Sequence, residues 1–132
     1  MTEPVREWIK KAEEDYRVAL AISRARRLAA YGSVCFHAQQ CIEKYLKAIL
    51  EEHKAEIRRI HALQMLLADC LIWYPALSVL RPDMIALSEF AVEFRYPGEN
   101  ASVEDAKRAV LIMKRCRALL RAVLNLKRSP RT

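Results

Sequence analysis

Glycine and proline are scarce in this chain, with two of the first and five of the second among 132 residues. The prolines stand at Pro4, Pro75, Pro82, Pro97 and Pro130, which leaves long stretches free of helix breakers. That excludes a fold made of many short, turn-linked strands and predicts few, long elements. Charge interrupts every apolar run well short of the roughly 20 residues needed to span a bilayer. Met1 to Lys10 has no apolar segment behind basic residues, so neither a membrane span nor a leader is expected and the chain is placed in the cytoplasm. Cys35, Cys41, Cys70 and Cys116 form no Cys-x-x-Cys pair and lie within apolar stretches. They read as small hydrophobes kept reduced, not as a disulfide or a zinc site, and no cofactor is expected.

What the chain has is apolar content, 53% of its residues, enough for one core and too little length for two ordinary domains. One domain over residues 4–126 is expected, followed by a basic flexible tail over 127–132. The net charge of +7 is concentrated: residues 103–132 hold nine Lys/Arg against two acids, whereas residues 1–102 hold fourteen of each sign. A basic segment of this kind attracts phosphates, nucleic acid or an acidic partner, or else forms a solvated helix face.

The spacing of Val5, Trp8, Ile9, Ala12, Tyr16, Ala19 and Leu20 draws one apolar stripe along a first helix from about Pro4 to Leu28. Ala30-Tyr31-Gly32-Ser33 is read as the turn. Val34, Cys35, Ala38, Cys41, Ile42, Tyr45, Leu46, Ile49 and Leu50 make a second helix ending near His53, with Glu43, Lys44, Lys47, Glu51 and Glu52 on its charged face. A short connection makes these two an antiparallel hairpin. A short third helix from His61 to Leu71 closes at Trp73-Tyr74-Pro75, and a fourth runs from Pro82 to about Phe94. Arg95-Tyr96-Pro97-Gly98 then turns the chain. Ser102 with Asp105 is an Asp variant of the capping box opening a fifth helix, with Ala106, Val110, Met113, Leu120 and Leu124 inward. The expected class is all-α, an antiparallel up-and-down bundle of about five helices.

Four sequence features in this order resemble the HEPN family (higher eukaryote and prokaryote nucleotide binding). They are Trp8, Ala12 and Asp15; Cys35-Phe36-His37-Ala38-Gln39-Gln40 with Glu43-Lys44-Tyr45-Leu46-Lys47-Ala48; His61-Ala62-Leu63; and Arg95-Tyr96-Pro97-Gly98. The resemblance covers about residues 4–125. It implies a helical bundle, homodimerisation, pairing with a minimal nucleotidyltransferase in a toxin–antitoxin-like arrangement, and in one branch a metal-independent ribonuclease toxin. That branch carries an Arg, four to six residues and a His. Here the histidines are His37, His53 and His61, with Arg58 and Arg59 too close before His61, Arg27 too far, and no His after Arg95. Metal-free RNA cleavage needs a base titrating near neutrality, so the missing pair points to a non-catalytic module.

Arg95 and Tyr96 are the first candidates for a nucleotide of the ATP or GTP class. A guanidinium forks onto phosphate, a phenol stacks on a base, and the start of helix five adds backbone N–H groups with Lys107 and Arg108 one turn in. Lys44 and Lys47 are further phosphate candidates, and RNA ranks behind a nucleotide as ligand. Alternatively Arg95 pairs with a carboxylate such as Asp15 and Tyr96 plugs the bundle end. Asp15, His37, Gln40, Glu43 and His61 are assigned to an interhelical hydrogen-bond network, with a ligand cleft or dimer seam as the alternative. His37 and Cys41 share a helical face but lack further ligands for a metal. His61 either caps helix three or reaches a phosphate. Trp73 and Tyr74 serve core closure or a partner surface. A ribonuclease using His37 or His61 and a purely structural adaptor remain the alternative functions.

Overall fold

In a computed structural model, which describes residues 1–94 and 96–126, the chain is all-helical. Five α-helices follow one another: α1 (Glu3–Arg24), α2 (Tyr31–Glu52), α3 (Leu63–Cys70), α4 (Arg81–Glu93) and α5 (Val103–Val123). Short 3-10 turns cover Arg26–Leu28 and Pro75–Leu80. The expected tail over 127–132 lies outside the described residues, as does Arg95.

The bundle is organised around α2. It packs against α1, α3, α4 and α5, and thirteen of its 22 residues are buried, against six of 22 in α1. A helix covered on several sides has little solvent face to spare. Glu43 and Lys47, expected on a charged outer face, are accordingly buried and hydrogen-bond each other one turn apart. The core side chains Tyr45, Ile42, Leu46 and Ile49 of α2 meet Leu63, Leu66 and Leu67 of α3, Met84 and Leu87 of α4, and Ile112 and Met113 of α5.

Element boundaries differ from the expected ones where local signals are weak. α1 stops at Arg24, not Leu28, because its apolar stripe gives out after Leu20 and the next inward positions carry Ser23 and Arg27. Ala29 turns the chain in the left-handed region, φ 50°. Tyr31-Gly32-Ser33, expected as the turn, form the first turn of α2. The segment Pro75–Leu80 is a 3-10 turn running into α4, since Pro75 fits a first helical position and Pro82 fits the first turn of α4. α5 begins as expected: Asp105 N–H donates to Ser102 Oγ at 3.1 Å, and Ser102 N–H donates to Asp105 Oδ2 at 2.9 Å. Lys54 (φ 53°) ends α2 and Asn125 (φ 58°) ends α5 in left-handed caps, closed by Ala55 N–H on the Leu50 carbonyl and Leu126 N–H on that of Arg121.

Candidate functional site

The early end of α1 brings two arginines to one end of the bundle. Arg24 and Arg26 stand beside Tyr31 at the start of α2 and Val103, Ala106 and Lys107 in the first turns of α5, around a cavity of about 530 Å³. No carboxylate lines it, and Arg24, Arg26 and Lys107 make no ion pair among the described residues. Three uncompensated cations in a concave site set up a positive potential suited to a phosphate-bearing ligand.

Of the candidate site residues that are described, Lys107 alone lines this cavity. Arg108, its neighbour, lies over the Phe90 ring, 5.7 Å from the centroid. Tyr96 is 65% exposed. It opens a tight turn in which Glu99 N–H donates to the Tyr96 carbonyl at 3.1 Å and Gly98 takes φ 89°, the arrangement of a type II turn with Pro97 at its second position. Arg24 and Arg26 escape notice when the first helix is expected to run on to Leu28, and Tyr31 when it is read as part of the turn. The signal available was the basic run Arg24-Ala25-Arg26-Arg27 with no apolar residue to extend the stripe.

The polar residues of α2 divide into two clusters. On the α1 side, Asp15 accepts a hydrogen bond from His37 Nδ1–H at 2.8 Å and another from Lys44. The imidazole is thereby fixed at Nδ1, and Lys44 is engaged by a carboxylate. On the α3 side, Glu43 accepts from Lys47 at 3.0 Å, from Gln39 at 3.2 Å and from His61 Nδ1–H at 3.0 Å, while the Gln39 amide also donates to the His61 carbonyl at 2.9 Å. Lys47 Nζ further lies 5.7 Å from the centre of the Trp8 ring. Lys44 and Lys47, unlike the third lysine candidate Lys107, are thus ion-paired within the chain.

His61 does not cap α3. The N-cap is Ala62 without a side-chain bond, and Leu63 N–H is satisfied by Ser88 Oγ of α4 at 2.9 Å. Gln40 instead lines, with Phe36, Gln39, His61, Gln64 and residues of α4, a groove of about 540 Å³ between α2, α3 and α4. Trp73 is stacked on His53, centroids 4.1 Å apart, and the Tyr74 hydroxyl shares a 3.0 Å hydrogen bond with His53 Nε2. All four cysteines are free and buried, and burial pushes the Cys35, Cys70 and Cys116 thiols up to about 12. Among the described residues no group of three or more His, Cys, Asp or Glu is placed to hold a metal ion, and no helix is long and apolar enough to cross a membrane.

A family model, the HEPN domain, matches residues 5–124. The chain belongs to the HEPN family. That match spans α1 to α5 and takes in both the basic cavity and the groove. The HEPN chain is 32% identical over 97 residues to a protein named "Putative toxin MJ1304" of Methanocaldococcus jannaschii, an alignment covering 68% of this chain and 61% of that one. The chain therefore spans less than two thirds of that relative's length. Two solved structures share the fold. The crystal structure of TT1696 from Thermus thermophilus superposes with a TM-score of 0.79 at 22% identity, covering 92% of this chain and 98% of its own. That of ST0689, an archaeal HEPN homologue, gives 0.73 at 26% identity, covering 94% and 99%.

This HEPN domain also contains an ionic cluster that sequence reasoning did not find. Arg117 of α5 is 3% exposed, forks onto Glu13 of α1 with two 2.7 Å bonds, and lies over the Tyr16 ring at 3.9 Å. The Tyr45 hydroxyl of α2 donates to the same carboxylate and accepts from Arg121 at 2.9 Å. Burial alone would raise the Glu13 pKa. The hydrogen bonds from Arg117 and Tyr45, with the charges of Arg117 and Arg121, outweigh it and hold the carboxyl below its ordinary range. Residues 104 positions apart carry no local signature of such a pair.

Proposed function

We propose that this HEPN-family chain is the HEPN component of a toxin–antitoxin-type pair, a homodimeric, non-catalytic module that binds a nucleotide through its phosphates and docks a minimal nucleotidyltransferase. The observation that carries the nucleotide reading is the basic cavity: Arg24, Arg26 and Lys107 face about 530 Å³ of open space without a compensating carboxylate, while Tyr31 offers a ring for a base. The name of the Methanocaldococcus relative supports the toxin–antitoxin context. Tyr96, on the turn before α5, belongs to the proposed binding surface as an outer contact, and Arg95, its neighbour in the sequence, is kept as a candidate.

Calorimetric titration with ATP, GTP and AMP tests this, using wild type, Arg24→Ala/Lys107→Ala and Arg95→Ala. Saturable binding that weakens in the Arg24/Lys107 variant is the expected result. Absence of binding with all three nucleotides overturns the nucleotide reading and leaves a partner-docking adaptor.

One arrangement supports a second reading, metal-independent RNA cleavage. His37 is held at Nδ1 by the buried carboxylate of Asp15 and is only half-buried, so Nε2 is available as a general base. Cleavage of RNA in EDTA that disappears in His37→Ala would favour it over the non-catalytic module.

A further inference from the structure

Basic side chains recur at seven-residue intervals on two neighbouring helices: Lys10, Arg17 and Arg24 on α1, and Lys107, Lys114 and Arg121 on α5. Seven residues make nearly two helical turns, so each set keeps to one face and rises about 10.5 Å from one cation to the next. The helices run antiparallel, since Arg24 stands by Lys107 at the cavity and Glu13 meets Arg117 further along. In that register Arg17 comes level with Lys114, and Lys10 with Arg121. The buried Glu13–Arg117 fork marks the seam between the two helices. Lys10 and Arg17 adjoin Glu13 on α1, and Lys114 and Arg121 adjoin Arg117 on α5, at the spacings that place side chains side by side on a helix. The seam is therefore flanked by three rungs of cations over about 21 Å. Lys10, Arg17, Arg24 and Lys107 are exposed, Lys114 is half-buried, and none of these five is ion-paired among the described residues. Arg121 is held by Glu13 at 3.7 Å and by the Tyr45 hydroxyl at 2.9 Å. The exposed acids on the same stretch of α1, Glu7 and Glu14, make no ion pair with these cations.

Two lines of cations that repeat with the period of a helix match a third helix of opposite charge. We propose that the α1–α5 seam docks an acidic helix of a partner protein, with carboxylates seven residues apart on both flanks of its contact stripe. Those carboxylates advance about 10.5 Å per heptad, in step with the rungs, as the charged flanking positions of a coiled coil do. Ala21 and Val110, level with each other between the first two rungs, leave room for its backbone to approach. A nucleic-acid strand fits less well. Its phosphates advance only about 3.4 Å per residue of each strand along a duplex, and a single-strand track interleaves exposed aromatic rings with its cations. Here Tyr16, the aromatic residue beside the fork, is 4% exposed and covered by Arg117. This surface rests on the partner docking proposed above and not on nucleotide binding, because the cavity takes in the first rung only.

Fluorescence anisotropy at low salt, with a labelled helical peptide of three heptads, tests the surface on the full chain. In each heptad the peptide carries glutamate at the two positions flanking an alanine stripe and glutamine elsewhere; a control of identical composition scatters its glutamates around the helix. The expected result is saturable binding of the striped peptide, at least roughly ten-fold tighter than of the scattered one, and a loss of at least the same factor in Arg17→Gln/Lys114→Gln. That double variant alters the middle rung alone, so its thermal midpoint and its ATP titration should match wild type. Striped-peptide binding to a wild type that binds no nucleotide leaves the docking surface standing and removes the nucleotide reading by itself. No saturable binding of the striped peptide, equal binding of the two peptides, or an unaltered double variant overturns the proposal. A uridine oligonucleotide that binds more tightly than the striped peptide and loses affinity in the same variant overturns it in favour of a nucleic-acid track.

Discussion

Arg117 and Arg24 carry the same guanidinium within one bundle and meet opposite surroundings. Arg117 is buried between α1, α2 and α5, with a forked carboxylate, an aromatic face and a tyrosine hydroxyl nearby. Arg24 stands at the rim of an open cavity with two other cations and no carboxylate. A charge taken out of water must have its partner built in, whereas a charge left at a solvated cavity can wait for one from outside. The first arrangement ties the fold together, and the second is open to a ligand.

Removing one partner of the buried pair should have the largest effect. Arg117→Ala strands Glu13 and the Tyr45 hydroxyl and should lower stability by about 3 kcal/mol, the lower end for a broken buried pair because Glu13 keeps some contact with water. A shift of the urea midpoint at constant slope would report it. If Arg117→Ala were as stable as wild type, the buried cluster would not be a structural tie.

Acid should act on the same cluster. The Glu13 pKa is depressed in the folded state, so its contribution is present above the unfolded value and is lost as pH falls through the folded one, a window that opens near the ordinary 4.5 and extends below it. Denaturant midpoints measured from neutral pH downward should fall less steeply for Glu13→Gln than for wild type. Equal slopes would remove Glu13 from the acid response.

A smaller change is expected from replacing the whole pair by apolar groups. Glu13→Leu/Arg117→Met removes both members of the forked pair, at the cost of the 3.7 Å contact of Arg121 with Glu13, and should lie within roughly 1 to 2 kcal/mol of wild type, closer than Arg117→Ala. A double variant as unstable as the single one would mean that shape, not charge pairing, governs the site.

The smallest effect on stability should come from the cavity. Arg24→Ala, Arg26→Ala and Lys107→Ala each break no ion pair among the described residues and should stay within about 0.5 kcal/mol of wild type. The same variants should weaken nucleotide binding. A large stability loss there would erase the contrast with Arg117.

Legibility in the sequence followed the range of the interaction. The stripe from Val5 to Leu20, the capping pair Ser102 and Asp105, and the Pro97-Gly98 turn act over a few residues, and each is visible as spacing. The end of α1 was less visible, because no proline or glycine marks it and the chain turns through Ala25 and Ala29. Glu43 and Lys47 read as part of a solvated face because periodicity shows that α2 has two faces but not that neighbours cover both.

The sequence by itself determined an all-helical chain, the approximate order of five helices and the HEPN resemblance, because helical periodicity, caps and breakers are properties of neighbouring residues. Only the tertiary structure decided which charges are satisfied. Glu13 and Arg117, Asp15 and Lys44, and the set of Arg24, Arg26 and Lys107, unpaired among the described residues, are sorted by the way the helices pack, which brings together side chains far apart in the chain and sets how much water each retains.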